Sequence, residues 1–246
     1  MYFENSEIRE YDSFTEEVFR FASHTGHVIY PENFGKKCKW IWRTEFLGAF
    51  DYLDLKMLKS GYALVYYGVS DMYGCPESIK LMKNFRDYIV EKLDLFPECI
   101  LEGFSRGGLY ACNYAYDYPE DASLLYLDAP VLDIFSWPGG KGTGEGSEEC
   151  FRECLTLYGI TENDRDSFSG DPVSRFEKLS ETDIPVIIVA GKDDTIVPME
   201  ENCLKMVKYY NSKGKVLKLI AKENCGHHPH SLEDPSEIYE FIRKYY

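Results

Sequence analysis

Five successive apolar residues, Val186-Ile187-Ile188-Val189-Ala190, follow Pro185, and a run without polar alternation is what a parallel strand buried on both faces requires. Similar runs stand at Trp40-Ile41-Trp42, Ala63-Leu64-Val65-Tyr66-Tyr67, Cys99-Ile100-Leu101, Leu124-Leu125-Tyr126-Leu127 and Val216-Leu217-Lys218-Leu219-Ile220. Helical spacing separates them. Leu53, Leu55 and Leu58 predict a helix that stops at Ser60-Gly61, where glycine supplies the left-handed turn. Ile79, Met82, Phe85, Ile89 and Leu93 recur three or four apart and mark one buried stripe between Glu77 and Leu93. At the end of the chain, Asp234 is expected as N-cap, Pro235 in the first turn and Glu237 three residues after the cap, before Ile238, Phe241, Ile242 and Tyr245. Near the start, Val18–Phe21 and Val28–Tyr30 around His24-Thr25-Gly26 read as a lead-in hairpin. The alternation predicts an α/β fold: a mostly parallel central sheet flanked by helices on both faces, in a single domain over 1–246.

Chemistry enters at Gly103-Phe104-Ser105-Arg106-Gly107, which sits between the run ending at Leu101 and a helix-like stretch that ends near Tyr118-Pro119. In a G-x-S-x-G elbow the glycines permit a sharp strand-to-helix turn, the serine hydroxyl projects from the sheet edge, and the next backbone N–H can face a developing oxyanion. The pattern alone arises by chance, so its partners matter. After the Val186 run comes Gly191-Lys192-Asp193-Asp194-Thr195-Ile196-Val197-Pro198, and after the Val216 run comes Gly226-His227-His228-Pro229-His230. An acid and then a histidine therefore stand at successive strand ends. Serine is a poor nucleophile until a base takes its proton, and that base needs a carboxylate to hold its tautomer.

With these three motifs in this order, residues 25 to 246 resemble the α/β-hydrolase family. The resemblance implies Ser105 as nucleophile, Asp194 as orienting acid and His227 as general base, with the adjacent His228 as runner-up. Asp128, which follows the strand after the elbow, ranks below Asp194, and Asp193 ranks lower still because the Val197-Pro198 spacing selects Asp194. The family takes one oxyanion donor from the residue after the nucleophile, here the Arg106 N–H, and a second from the loop Trp42-Arg43-Thr44-Glu45-Phe46. The usual His-Gly pair is absent from that loop. Arg43 is the candidate there, with a substrate-positioning guanidinium or an ion pair to Glu45 or another carboxylate as the other readings. Residues 131–184 are too long for a plain crossover, and the family commonly carries a cap at this position. Helical patterns at Cys150–Tyr158 and Val173–Leu179 suggest a small one, preceded by a segment, 137–146, with five glycines in ten residues. Lys141 in that segment lacks the spacing of a phosphate-binding loop, so a mobile rim or a bare surface loop is expected. Trp42, Asp71, Tyr73 and Trp137 are expected to contact substrate, with a plain turn as the competing reading of Asp71-Met72-Tyr73-Gly74.

Trp-Arg at 42, Gly-Phe-Ser-Arg-Gly-Gly at 103–108, Ser-Trp-Pro-Gly-Gly-Lys-Gly at 136–142 and His-His-Pro-His-Ser-Leu at 227–232 are similar to a bacterial branch of carbohydrate-associated serine esterases. That likeness implies a small-molecule ester substrate, an acylated saccharide among the options, and requires neither metal nor organic cofactor. A serine peptidase related to aminopeptidases and a non-catalytic binding protein on the same fold are the alternatives.

Bulk properties narrow the field. The 246 residues carry a formal charge of -15 with a pI near 4.8, which repels a phosphate backbone and argues against nucleic acid as partner. Residues 1–7 lack a basic and then apolar leader pattern, and no apolar stretch approaches the ~20 residues that span a bilayer. A soluble, cytoplasmic chain without membrane contact is the expectation. Eight cysteines contain no C-x-x-C pair, and Cys150 and Cys154 read as packing residues rather than zinc ligands. His24 and His27 have no partner motif and are taken as structural.

Overall fold

The unbroken apolar runs occupy the middle of a nine-stranded sheet whose central strands are covered on both faces, in a computed structural model that describes residues 2–246. In chain order the strands are β1 (Glu7–Tyr11), β2 (Phe14–Phe21), β3 (His24–Tyr30), β4 (Trp40–Arg43), β5 (Ala63–Tyr67), β6 (Cys99–Phe104), β7 (Ala122–Asp128), β8 (Val186–Gly191) and β9 (Leu217–Lys222). Their spatial order is β1-β2-β3-β5-β4-β6-β7-β8-β9. The first three form antiparallel pairs and β3 joins β5 antiparallel. From β5 across to β9 every pair is parallel. Six strands thus deliver the loops at their carboxyl ends to one edge, where open α/β sheets place their sites.

Seven helices cover the sheet: α1 (Tyr52–Lys59), α2 (Pro76–Leu93), α3 (Gly107–Asp117), α4 (Glu148–Tyr158), α5 (Phe176–Leu179), α6 (Cys203–Ser212) and α7 (Ser236–Tyr245). Strand alternation divides the core. Ile41, Ile100, Ile187 and Val189 face α1 and α7, which contribute Leu53, Met57, Ile238 and Ile242. Trp40, Trp42, Leu101, Val186 and Ile188 face the opposite side, where α2, α3, α5 and α6 supply Ile79, Phe85, Leu109, Phe176 and Met206. Between β7 and β8 lie α4, two 3-10 turns and α5. Ser147 caps α4 by accepting from the Cys150 N–H, and Phe151 packs edge-on against Phe135, 5.7 Å between ring centres. No helix among the described residues is long and apolar enough to cross a membrane.

Three details differ from the sequence expectation. β1 carries the exposure pattern of a strand with both faces open, so it has no apolar alternation to betray it. α6, absent from the sequence expectation, buries Cys203, Met206 and Tyr210 and packs Leu204 and Val207 beside them, a stripe at 203, 206, 207 and 210. α7 begins one residue later than expected, with Pro235 at the cap position; the Asp234 carboxylate instead accepts from the Ser236 N–H at 3.0 Å.

Candidate active site

The turn between β6 and α3 puts Ser105 at φ +48°, a left-handed conformation that costs an L-residue on the order of 1–2 kcal/mol. Neighbours hold it there. The Ser105 N–H donates to the Asp128 carbonyl at 2.9 Å, and the Ser105 carbonyl accepts from the Val131 and Gly108 N–H groups at 2.8 and 3.0 Å. A Cβ at Gly103 would lie 2.8 Å from the Gly107 carbonyl oxygen, and one at Gly107 would lie 3.1 Å from Thr44 Oγ1. The two glycines are therefore what lets strand, turn and helix close this tightly.

Ser105 Oγ lies 2.9 Å from His227 Nε2, and His227 Nδ1 lies 2.8 Å from Asp194 Oδ2. The carboxylate can only accept, so the imidazole proton sits on Nδ1 and the Nε2 lone pair faces the serine. The other oxygen, Asp194 Oδ1, accepts from the N–H groups of Ile196 and Val197 at 2.9 and 2.8 Å. This explains the G-x-x-D-x-x-V-P spacing: the residues after the aspartate fix the oxygen not used by histidine. Asp194 and His227 are 7% and 9% exposed, whereas Asp193 points to solvent.

The loop after β4 departs from expectation. The Arg43 side chain has no exposure and pairs with Asp54 at 2.8 Å and Glu102 at 3.5 Å. It also donates to the carbonyls of Glu45 and Ala49, and its guanidinium lies 3.9 Å over the Phe104 ring. Arg43 therefore cannot touch substrate; it braces the 45–49 loop from beneath, because side-chain alternation in β4 turns it into the sheet face under that loop. Burial, together with the Asp54 carboxylate, pushes the Glu102 carboxyl well above its usual range despite Arg43. The Arg106 N–H, by contrast, has no hydrogen-bond acceptor among the described residues. Its side chain turns away to Glu45 at 3.3 Å and Asp71 at 2.7 Å. Burial raises the Glu45 carboxyl, with Arg106 opposing it.

Ser105 opens into a cavity of about 230 Å³ lined by Phe46, Ala49, Phe50, Phe104, His227, His228 and His230. Of these lining groups the sequence singled out only Ser105 and the two adjacent histidines. His230 is held by Asp128, Nδ1 to Oδ1 at 2.7 Å, and the second oxygen of Asp128 accepts from the Ser231 N–H at 2.8 Å. The H-x-x-H spacing after a strand was the available signal for His230; no periodic pattern marks Phe46 and Phe50, which stand at φ +56° and +51° in an irregular loop. Asp128 thus serves a different histidine from Asp194.

The expected substrate contacts fare unevenly. Trp42 is fully buried against Trp40, Phe85 and Tyr114, so it is core and offers no stacking surface. Tyr73 is also enclosed; its hydroxyl donates to Glu153 at 3.0 Å. Its ring lies 6.4 Å from that of Trp137, which is partly exposed. Asp71 lies outside the serine cavity, on a separate depression with Glu149, Arg152, Glu153, Thr156 and Leu157. His24 and His27 lie in the β2–β3 hairpin, bonded to the Gly68 carbonyl and to Glu16.

No protein-family model matches the sequence, and no curated protein does. Solved structures match by shape. An S-formylglutathione hydrolase from Agrobacterium tumefaciens superposes with a TM-score of 0.70 at 14% identity, covering 98% of each chain. An acylaminoacyl peptidase from Pyrococcus horikoshii gives 0.72 at 14% identity, covering 98% of this chain and 42% of that one. A Bacteroides ovatus chain provisionally assigned as a dipeptidyl aminopeptidase IV gives 0.69 at 15% identity over 98% of this chain. This chain spans about a third of the length of the Bacteroides protein, 35%. The chain has the α/β-hydrolase fold.

Proposed function

We propose that this protein is a serine hydrolase that cleaves small acyl esters through an acyl-enzyme on Ser105. The observation that carries the reading is the unbroken hydrogen-bond chain Ser105–His227–Asp194, at 2.9 and 2.8 Å, with the serine open to a cavity. Ser105 Oγ attacks the ester carbonyl as its proton passes to His227 Nε2, and Asp194 steadies the imidazolium that forms. The carbonyl oxygen gains the charge and is received by the Arg106 N–H and by a donor from the Glu45–Phe46 stretch that Arg43 braces. His227 then hands the proton to the departing alcohol. Water, deprotonated by the same base, attacks the acyl-serine and returns the free hydroxyl.

A cavity near 230 Å³ walled by Phe46, Ala49, Phe50 and Phe104 suits a short, uncharged acyl group. An acylated saccharide falls within this class, with the exposed Phe46 and partly exposed Phe50 as the aromatics on the cavity wall. The second reading is a peptidase: Asp71, Glu149 and Glu153 share one depression on the Arg106 side, and carboxylates there suit a substrate ammonium. Two of the structures similar in fold are a peptidase and a chain assigned as one.

Mass spectrometry after exposure to a fluorophosphonate tests the chemistry. Labelling is expected at Ser105 alone and is lost in Ser105→Ala and His227→Ala. A folded native chain that takes no label would sink the hydrolase reading in favour of a binding protein. Matched ester and aminoacyl-amide substrates then separate esterase from peptidase by kcat/KM.

A further inference from the structure

Three of the chain's five histidines, His227, His228 and His230, bring one ring nitrogen each to within 4.8 Å of the others. Their ring centres are 4.7 to 5.0 Å apart, and all three line the cavity in front of Ser105. Two are prepared in the same way. His227 and His230 each have Nδ1 bonded to a buried aspartate, Asp194 and Asp128, at 2.8 and 2.7 Å. A carboxylate on Nδ1 fixes the proton there and presents Nε2 as a basic lone pair, the arrangement that supports metal-bound histidines. His230 Nε2 has no hydrogen-bond partner among the described residues, and neither ring nitrogen of His228 has one. The hydrolytic chemistry uses only His227; the other two lone pairs have no task in it.

We propose that His227, His228 and His230 form an inhibitory site for a divalent transition cation, Zn²⁺ being the best fit, which disables Ser105 by occupying His227 Nε2. Three imidazoles with a fourth position open to solvent are a recognised zinc donor set. Zinc–nitrogen bonds of about 2.0–2.1 Å in a tetrahedron need nitrogens roughly 3.4 Å apart, so the rings must draw together from their present spacing. His228 is exposed, with its ring stacked on Phe50 at 5.9 Å between centres and no hydrogen bond to its ring nitrogens among the described residues, so it can turn inward. The two aspartates fix the proton positions of the other rings as they close in. Neutral imidazoles bind without releasing a proton. The cation takes the lone pair that otherwise receives the serine proton, so coordination and nucleophile activation exclude each other. The blockade rests on the hydrolase reading; the cation site itself does not.

The test uses the full chain stripped with a chelator. Calorimetry with Zn²⁺ should give one site per chain, Co²⁺ should give the visible absorption of a tetrahedral complex, and Zn²⁺ should slow fluorophosphonate labelling until chelator restores it. His228→Ala, at an exposed position, should weaken Zn²⁺ binding by about tenfold or more; His230→Asn should do the same. Absence of binding at micromolar Zn²⁺, or affinity unchanged in both variants, overturns the site. Site-specific binding that leaves labelling untouched overturns the blockade. A chain that binds Zn²⁺ through these histidines but never labels fails as a hydrolase while the cation site stands.

Discussion

Arg43 shows how much one buried charge decides. The guanidinium faces two carboxylates, Asp54 and Glu102, with no solvent exposure on any of the three side chains. One positive group cannot neutralise both, and the outcome is a Glu102 carboxyl pushed upward by burial and by Asp54. Burial and the neighbouring Asp54 carboxylate therefore favour the protonated form of Glu102. Glu102→Gln, which keeps the shape and mimics the protonated form, is expected to change unfolding free energy by less than about 1 kcal/mol. Arg43→Ala strands a buried carboxylate and should cost on the order of 3–5 kcal/mol in denaturant titrations. Equal losses in the two variants would contradict a protonated Glu102. The arginine also bonds the carbonyls of Glu45 and Ala49, so folded Arg43→Ala protein should show a disordered cavity wall. At Ser105, Gly103 and Gly107, local sterics were legible in advance, since a tight elbow needs those residue types wherever it occurs.

At the scale of elements, one buried acid ties together two stretches of the segment between β7 and β8. Asp171 accepts from the Ile134 N–H at 3.3 Å and from the Ser174 hydroxyl at 2.6 Å, joining the 3-10 turn Pro172–Arg175 to the stretch after β7. Burial raises its pKa to about 6, against the hydrogen bonds that lower it. A carboxyl raised in the folded state adds no penalty below its unfolded pKa, and its ionisation increasingly opposes folding as pH climbs to about 6. Asp171→Asn removes that ionisation. Its unfolding free energy relative to native should therefore improve by on the order of 3 kcal/mol between about pH 4 and pH 7. Parallel stability–pH profiles for the two proteins would show that Asp171 is not the titrating group. The strands of this region announced themselves because both faces are buried; β1 did not, because its apolar surface is too small to impose a period.

For the whole molecule, the charge of -15 surrounds a site whose lining is mostly apolar. Long-range attraction should favour a cationic ester over an anionic one of equal size, with kcat/KM falling on added salt for the first and rising for the second, several-fold between low and physiological ionic strength. Salt-independence for both would mean that the local field at the cavity is neutral. The sequence by itself determined the alternating fold, the elbow glycines and the acid whose spacing anchors it through the Ile196 and Val197 N–H groups. These depend on contacts a few residues long or on period alone. Tertiary structure decided the rest. Ser105 and His227 are 122 residues apart, and only the fold shows which of the two adjacent rings meets Asp194. The pairing of His230 with Asp128, 102 residues away, the inward turn of Arg43 and the enclosure of Trp42 follow from which face of a strand meets which layer. No local spacing encodes that, because a side chain's direction acquires meaning only when its neighbours in space are fixed.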